Sequence, residues 1–283
     1  MKPTIRTLSL PELAELIDWA AAEGWNPGLD DAAAFQPADP LGFIGAFVGS
    51  EMVAAISAVA YGGDFGFIGL YICRPDMRGK GYGKAVWNAG MARLAGRTIG
   101  LDGVEAQLAN YRRQGFRPAY ETIRFSGRGA IPAVRREGLH AVTRQIVPDI
   151  IVPDIIAYDA CCFPAPRHAF LQRWLLAPHH GLAAIGARGT TGYAVARRCR
   201  SGFKIGPLFA DDLDTALHLL DGLSEACQGG DLHIDVPAEN TPFIAALEAS
   251  GFAPTFTTTR MYKGPAPALD ASRIFGVTTL ELG

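Results

Sequence analysis

The sequence has no apolar run of 18 residues, so no segment reads as a bilayer-spanning helix. It has almost no charge imbalance. Lys and Arg number 26 against 28 Asp and Glu, a net −2, which leaves no electrostatic case for a nucleic-acid or acidic-membrane partner. Cysteine is scarce: Cys73, Cys161, Cys162, Cys199 and Cys227 are odd in number and form no C-x-x-C pair, which suits buried thiols in a reducing compartment. The histidines (His140, His168, His179, His180, His218, His233) show no ligand spacing with one another or with cysteine, so no metal is expected. The first residues carry acids within a helical pattern instead of the apolar stretch of a signal peptide, and the cytoplasm is the expected location. What is there is a chain of 283 residues, 49% apolar and 19% charged, enough for two ordinary domains that each bury a core.

Ser9-Leu10-Pro11-Glu12 is a capping box, and Leu13, Leu16, Ile17 and Ala20 follow on one helical face that stops at Gly24. Asp30 to Phe35 can start a short second helix. Strand-like runs cover Phe43 to Val48, Met52 to Tyr61 and Phe65 to Cys73. A helix is predicted from Tyr82 to Leu94, a strand from Thr98 to Leu101, a helix capped by Asp102-x-x-Glu105 and ending at Gly115, and a strand from Tyr120 to Phe125. This order predicts an α/β fold with a mixed sheet and helices on both faces.

The second half repeats the first. One offset relates Gly115-Phe116 to Gly251-Phe252, Arg124 to Arg260, and Phe67 to Phe203, and a slightly shorter one relates Asp102 to Asp235. Four anchors in one order and nearly in register mark a tandem duplication. The expected division is 1–128, a connector over 129–154, and 155–283. The doubled pentapeptide "IVPDIIVPDI" reads as an extended connector because its prolines exclude a central strand. The run Ile274 to Leu282 is expected to add a strand to one of the sheets.

The chemistry is concentrated after the strand ending at Cys73, in Arg78-Gly79-Lys80-Gly81-Tyr82-Gly83-Lys84, which a helix follows at once. Backbone N–H groups of such a loop, at the positive end of a helix, cradle a diphosphate, and glycine leaves room for its oxygens. A Walker loop would need glycine at 78 and Ser or Thr at 85, where Arg78 and Ala85 stand; a dinucleotide fingerprint would need a glycine at 84, where Lys84 stands.

Arg-x-x-Gly-x-Gly after a strand, in this α/β order, resembles the acetyl-CoA loop of the GNAT superfamily, directly over residues 4–127 and through the repeat over 155–264. The resemblance implies tandem acyl-CoA N-acyltransferase folds and acetyl-CoA as co-substrate. It assigns Tyr71, Ile72 and Cys73 to the splayed strand that holds the pantetheine arm and thioester carbonyl, and Arg78, Gly79, Lys80, Gly81, Tyr82, Gly83 and Lys84 to the pyrophosphate. A tyrosine four residues before Gly-Phe is a second landmark; here it is Tyr111, which the resemblance makes the acid that protonates the departing thiolate. A phenol of pKa about 10 can serve a thiolate of about 8.5 in a dry site. The asparagine common seven residues before this tyrosine is Val104, leaving Gln107 and Asn110 as candidates for a side-chain grip on pantetheine.

The repeat acts as a control. Asp102 could be a general base, yet Asp235 recurs in a copy without a cofactor loop, so a helix cap is the better reading. Arg124 and Arg260 recur as well and read as structural. Asp211, Asp212 and Asp214 stand where the second copy would need a phosphate loop, and Leu247 replaces Tyr111, so that copy has lost the chemistry. It is left to buttress the first, cover the acceptor cleft or supply a homodimer face. The acceptor is expected to be a small-molecule amine, met by Trp25, Asn26, Asp30 and Asp31 after the first helix. The resulting expectation is direct N-acetyl transfer in a ternary complex; a non-catalytic acyl-CoA sensor is the alternative.

Overall fold

The computed structural model describes residues 2–128, 138–142, 151–176 and 178–283. The first repeat runs β1 (Thr4–Thr7), α1 (Leu10–Ala22), α2 (Asp31–Phe35), β2 (Phe43–Val48), β3 (Glu51–Tyr61), β4 (Phe65–Cys73), α3 (Tyr82–Arg93), β5 (Thr98–Gly103), α4 (Glu105–Arg113) and β6 (Arg117–Gly127). After β7 (Leu139–Ala141) the second runs α5 (Ile151–Cys162), α6 (His168–Trp174), β8 (His180–Gly186), β9 (Gly189–Arg198), β10 (Phe203–Ala210), α7 (Leu213–Ala226), β11 (Leu232–Pro237), α8 (Thr241–Ala249), β12 (Ala253–Lys263) and β13 (Ile274–Gly276). The mixed α/β architecture read from the sequence is present.

Local chemistry explains the boundaries. At the start of α1 Glu12 accepts the Ser9 N–H and hydroxyl, both at 2.8 Å, and Arg6 forks the same carboxylate. Leu13, Leu16, Ile17 and Ala20 then bury one face. Two expectations need correction. Residues 146–150 of the doubled pentapeptide lie outside the described residues, but 151–155 begin α5 and are helical, not extended. Pro153 sits in the first turn, where no intrahelical N–H is required, and Ile155, Tyr158 and Cys162 bury one face of the helix. The run Ile274 to Leu282 yields a strand only to Gly276, after which the chain leaves the sheet. β1, a short and mostly exposed edge strand, carries no apolar alternation and was not predicted.

Among the described residues the strands form one sheet, ordered β1-β2-β3-β4-β5-β12-β6-β11-β10-β9-β8-β7, with β13 pairing β10 off this path. The order exposes an exchange: β12 lies between β5 and β6, and β6 lies between β12 and β11. Each repeat inserts its last long strand beside the other's penultimate one. The exchange sets the charges. Register places Arg260 opposite Asp102 and Arg124 opposite Asp235, and both arginines fork their partners across the repeat boundary, at 2.7 and 2.8 Å and at 2.7 and 2.9 Å. Asp102 is therefore not the helix cap; Val104 holds that position in α4.

Apolar packing follows the same plan. α3 and α4 cover one face of the first half through Val86, Trp87 and Leu108, and α7 and α8 cover the second through Leu219, Leu223 and Phe243. On the opposite face a single cluster joins α1 and α2 to α5 and α6, with Phe35 stacked on the fully buried Trp174 at 5.8 Å.

Candidate active site

β4 and β5 are parallel and paired from Phe65↔Thr98 to Ile68↔Leu101, where the ladder ends. β4 continues to Cys73, held on its other edge by β3 through Ala55↔Ile72 and Ala54↔Cys73. Between Ser57↔Gly69 and Ala55↔Ile72 lies an irregularity at which Leu70 takes φ +44°. Among the described residues the backbone of Gly69–Cys73 thus has no ladder partner on the β5 side. Hydrogen-bonding groups along such an edge can hold an extended amide-bearing arm and receive the charge that develops on a thioester oxygen.

Below this opening the chain turns through Gly79 (φ +78°) and Gly81 (φ +86°), the latter capping α3 without any side-chain cap bond. Those dihedrals disfavour side-chain-bearing residues, and the uncapped helix end presents N–H groups suited to an anion. Arg78 donates from Nε to the Cys73 carbonyl at 3.1 Å and pairs with Glu23; Lys80 Nζ reaches the Asp76 carbonyl at 3.0 Å, and Lys84 is exposed. Burial pushes the Cys73 thiol up, which disfavours its thiolate form.

A cleft of about 510 Å³ joins these parts. Tyr71, Ile72, Cys73, Arg78, Gln107 and Tyr111 are among the residues that line it. Tyr111 stacks on Trp87 at 5.6 Å, and burial, aided by Tyr71, pushes its phenol up to about 12. Asn110 instead bonds within its own helix, to Gln107.

The four residues expected at the acceptor part company. Trp25 lines the cleft, and its carbonyl receives Lys204 Nζ at 2.9 Å. Asn26 is engaged by the backbone of Ser201, donating at 2.8 Å and accepting at 3.0 Å. Asp30 lines a different cavity, of about 1060 Å³, against the second repeat. Asp31 is fully buried, 3.2 Å from Arg197, and accepts the Gly28 N–H at 2.8 Å, so it anchors α2 to the second repeat. The cleft is also lined by residues that no local motif announces: Arg124, Phe256, Thr258, Leu280 and Glu281.

The equivalent opening in the second repeat is closed. β10 and β11 pair from Phe203↔Leu232 to Ile205↔Ile234, and beyond that point β13 enters, pairing Leu208↔Gly276 and Phe209↔Ile274. The Val277 N–H completes the closure on the Asp235 carbonyl at 2.9 Å. The Asp212 side chain caps α7 at 2.7 Å from the Thr215 N–H, and Leu247, at the place of Tyr111, is fully buried.

The profile of the Acetyltransferase (GNAT) family matches residues 10–116, and that of an Acetyltransferase (GNAT) domain matches residues 155–276. The holothin acyltransferase of Pseudoalteromonas sp. (strain SANK 73390) is 32% identical over 282 residues, covering 99% of this chain and 94% of that protein. The chain belongs to the GNAT acyltransferase family. Solved structures show the same fold at low identity. A Pyrococcus horikoshii protein described as an acetyltransferase superposes with a TM-score of 0.83 at 20% identity, covering 100% of this chain and 96% of that one. A tandem GNAT protein from the clavulanic acid biosynthesis pathway gives 0.62 at 15%, covering 94% and 100%. Among the described residues no helix is long and apolar enough to cross a membrane, and no group of three or more His, Cys, Asp or Glu could hold a metal ion.

Proposed function

We propose that this GNAT protein moves the acetyl group of acetyl-CoA to the amine of a small-molecule acceptor, directly and within a ternary complex. The observation that carries this reading is the contrast between the repeats: the first keeps an unpaired β4 edge above an uncapped α3, with Tyr111 lining the cleft between, and the second has closed both features. The full-length likeness to a protein named for acylating holothin supports a small-molecule acceptor.

In this reading the N–H groups of Arg78 to Lys84 take the pyrophosphate, and the β4 edge from Tyr71 to Cys73 takes the pantetheine and the thioester carbonyl. The amine nitrogen attacks the carbonyl carbon and gives up its proton to a water or a carboxylate, the oxyanion is met by backbone N–H groups, and the C–S bond breaks as Tyr111 gives its proton to the thiolate. A phenol pushed up to about 12 is fully loaded as an acid at neutral pH. Thiol release from acetyl-CoA, followed over amino acids, polyamines, aminoglycosides and peptide N-termini, tests the proposal. Tyr111→Phe should lower kcat about 10²–10⁴-fold while acetyl-CoA affinity holds. Acetyl-CoA binding without thiol release across the whole panel would instead mark an acyl-CoA sensor.

A further inference from the structure

Three carboxylates line the cleft, and two of them are committed. Glu23 is held by Arg78, and Asp102 is forked by Arg260 at 2.7 and 2.8 Å. Glu281 differs. It is 4% exposed, its nearest cations are Arg197 at 3.6 Å and Lys204 at 3.9 Å, both beyond hydrogen-bond reach, and its Oε2 has no hydrogen-bond partner. Lys204 spends a hydrogen bond on the Trp25 carbonyl, and Arg197 lies closer to Asp31. The charge of Glu281 is balanced while a lone pair is left unused. A buried carboxylate oxygen without a donor is costly and calls for a reason.

Its place is set by the backbone. The Glu281 carbonyl accepts the Ser57 hydroxyl at 3.2 Å and lies so close to Gly69 that a Cβ there would stand 2.1 Å from it. Gly69 is the first β4 residue beyond the end of the β4–β5 ladder. Glu281 therefore borders the cleft where the unpaired edge begins, and Trp25 and Phe256 line the same cleft.

We propose that Glu281 is the acceptor-binding carboxylate. The Glu281 carboxylate receives an N–H of the incoming primary amine, turning the nitrogen lone pair toward the β4 edge, while Trp25 and Phe256 flank an apolar body. This assignment rests on the acyl-transfer reading above and adds a residue that binds the acceptor and not the cofactor.

The test uses the full chain and an amine that the thiol-release screen shows to be turned over. Glu281→Gln should raise the acceptor KM by about 10- to 150-fold, the loss of a hydrogen bond to a charged group, with acetyl-CoA affinity within twofold. Because neutralising a buried charge can unsettle Arg197 and Lys204, Glu281→Asp is the companion. It keeps the charge, withdraws the carboxylate by one methylene, and should melt near the wild type yet still raise the acceptor KM several-fold. A folded Glu281→Asp with unchanged acceptor KM, or acetyl-CoA affinity falling in step with it, overturns the assignment alone. A wild type that binds acetyl-CoA but releases no thiol with any amine overturns the acyl-transfer reading and this assignment with it.

Discussion

The reciprocal ion pairs across the repeat boundary allow a quantitative test of what Asp102 does. Asp102 and Arg260 are both buried, with side-chain exposures of 0% and 7%, and Arg260 also lies over the Phe67 ring at 4.8 Å. Burial pushes the Asp102 carboxyl up and Arg260 only partly offsets it, so an unpaired Asp102 would be strongly unfavourable there. Removing one partner of such a pair costs about 3–5 kcal/mol, because the other charge is left buried and alone. Arg260→Met retains much of the packing on Phe67, and Asp102→Asn retains the shape. Each single variant should therefore lower stability by about 3–5 kcal/mol, or Tm by roughly 6–20 °C at 2–4 °C per kcal/mol. The double variant should lose clearly less than the sum, since neither charge is orphaned. Chemical denaturation of the four proteins gives the cycle. Losses that add within about 0.3–0.5 kcal/mol would refute the coupling. Enzyme assays at a temperature where Asp102→Asn is folded settle its chemistry: a pairing residue leaves kcat within a few-fold, whereas a general base would cost about 10²–10⁴-fold.

Gly81→Asp should abolish acetyl-CoA binding, since it places a carboxylate at φ +86° at the mouth of the anion cradle; titration calorimetry on the wild type should show one site per chain. The Tyr111 phenol is pushed up to about 12 from 10, so the acid stays loaded and kcat should show no alkaline fall from this group before pH nears 12; a limb at its ordinary value, tied to Tyr111 by the phenylalanine variant, would contradict its burial. Hydrogen bonds from Arg6, set against a burial penalty and helped by Ser9, hold Glu12 down at about 2 against an ordinary 4.5. That contribution is complete above 4.5 and lost as pH falls through 2, so Glu12→Gln should melt below the wild type at pH 7 and converge with it in strong acid.

That the loop and Tyr111 would come together at one cleft was legible because their signals are local. Glycine spacing between a strand and a helix fixes the loop, and Tyr111 is named by its distance from Gly115-Phe116 within one helical segment. The acceptor side was not, because three kinds of information are missing from any single window. The capping-box spacing of Asp102 and Glu105 is real, but the register of β12 against β5 offers Asp102 an arginine from the other repeat, and a buried guanidinium outcompetes a helix N-terminus. Asp31 looks like a free acid after a helix until Arg197, far along the chain, is placed beside it. Glu281 lies on a segment whose strand-like pattern outlasts its strand, so nothing in the sequence distinguishes it from a surface residue. The repeat did flag Arg124 and Arg260 as structural, and the exchange of β6 and β12 is the reason that both recur.

A single segment closes one opening and helps line the other. The segment beginning at β13 seals the second repeat and then crosses to the first. On the way its backbone passes two glycines at matching repeat positions: a Cβ at Gly206 would stand 2.3 Å from the Thr278 carbonyl, and one at Gly69 would stand 2.1 Å from that of Glu281. Any side chain at either glycine would push this segment off its path. The path delivers Leu280 and Glu281 to the wall of the cleft and buries the Leu282 side chain, whose carbonyl accepts the Tyr61 hydroxyl at 3.0 Å. Freeing the β10 edge would require withdrawing β13, and the residues that follow it would then leave the first cleft. The closed repeat thus supplies parts of the open one: β12 beside β5, Arg260 on Asp102, and the segment after β13 at the cleft.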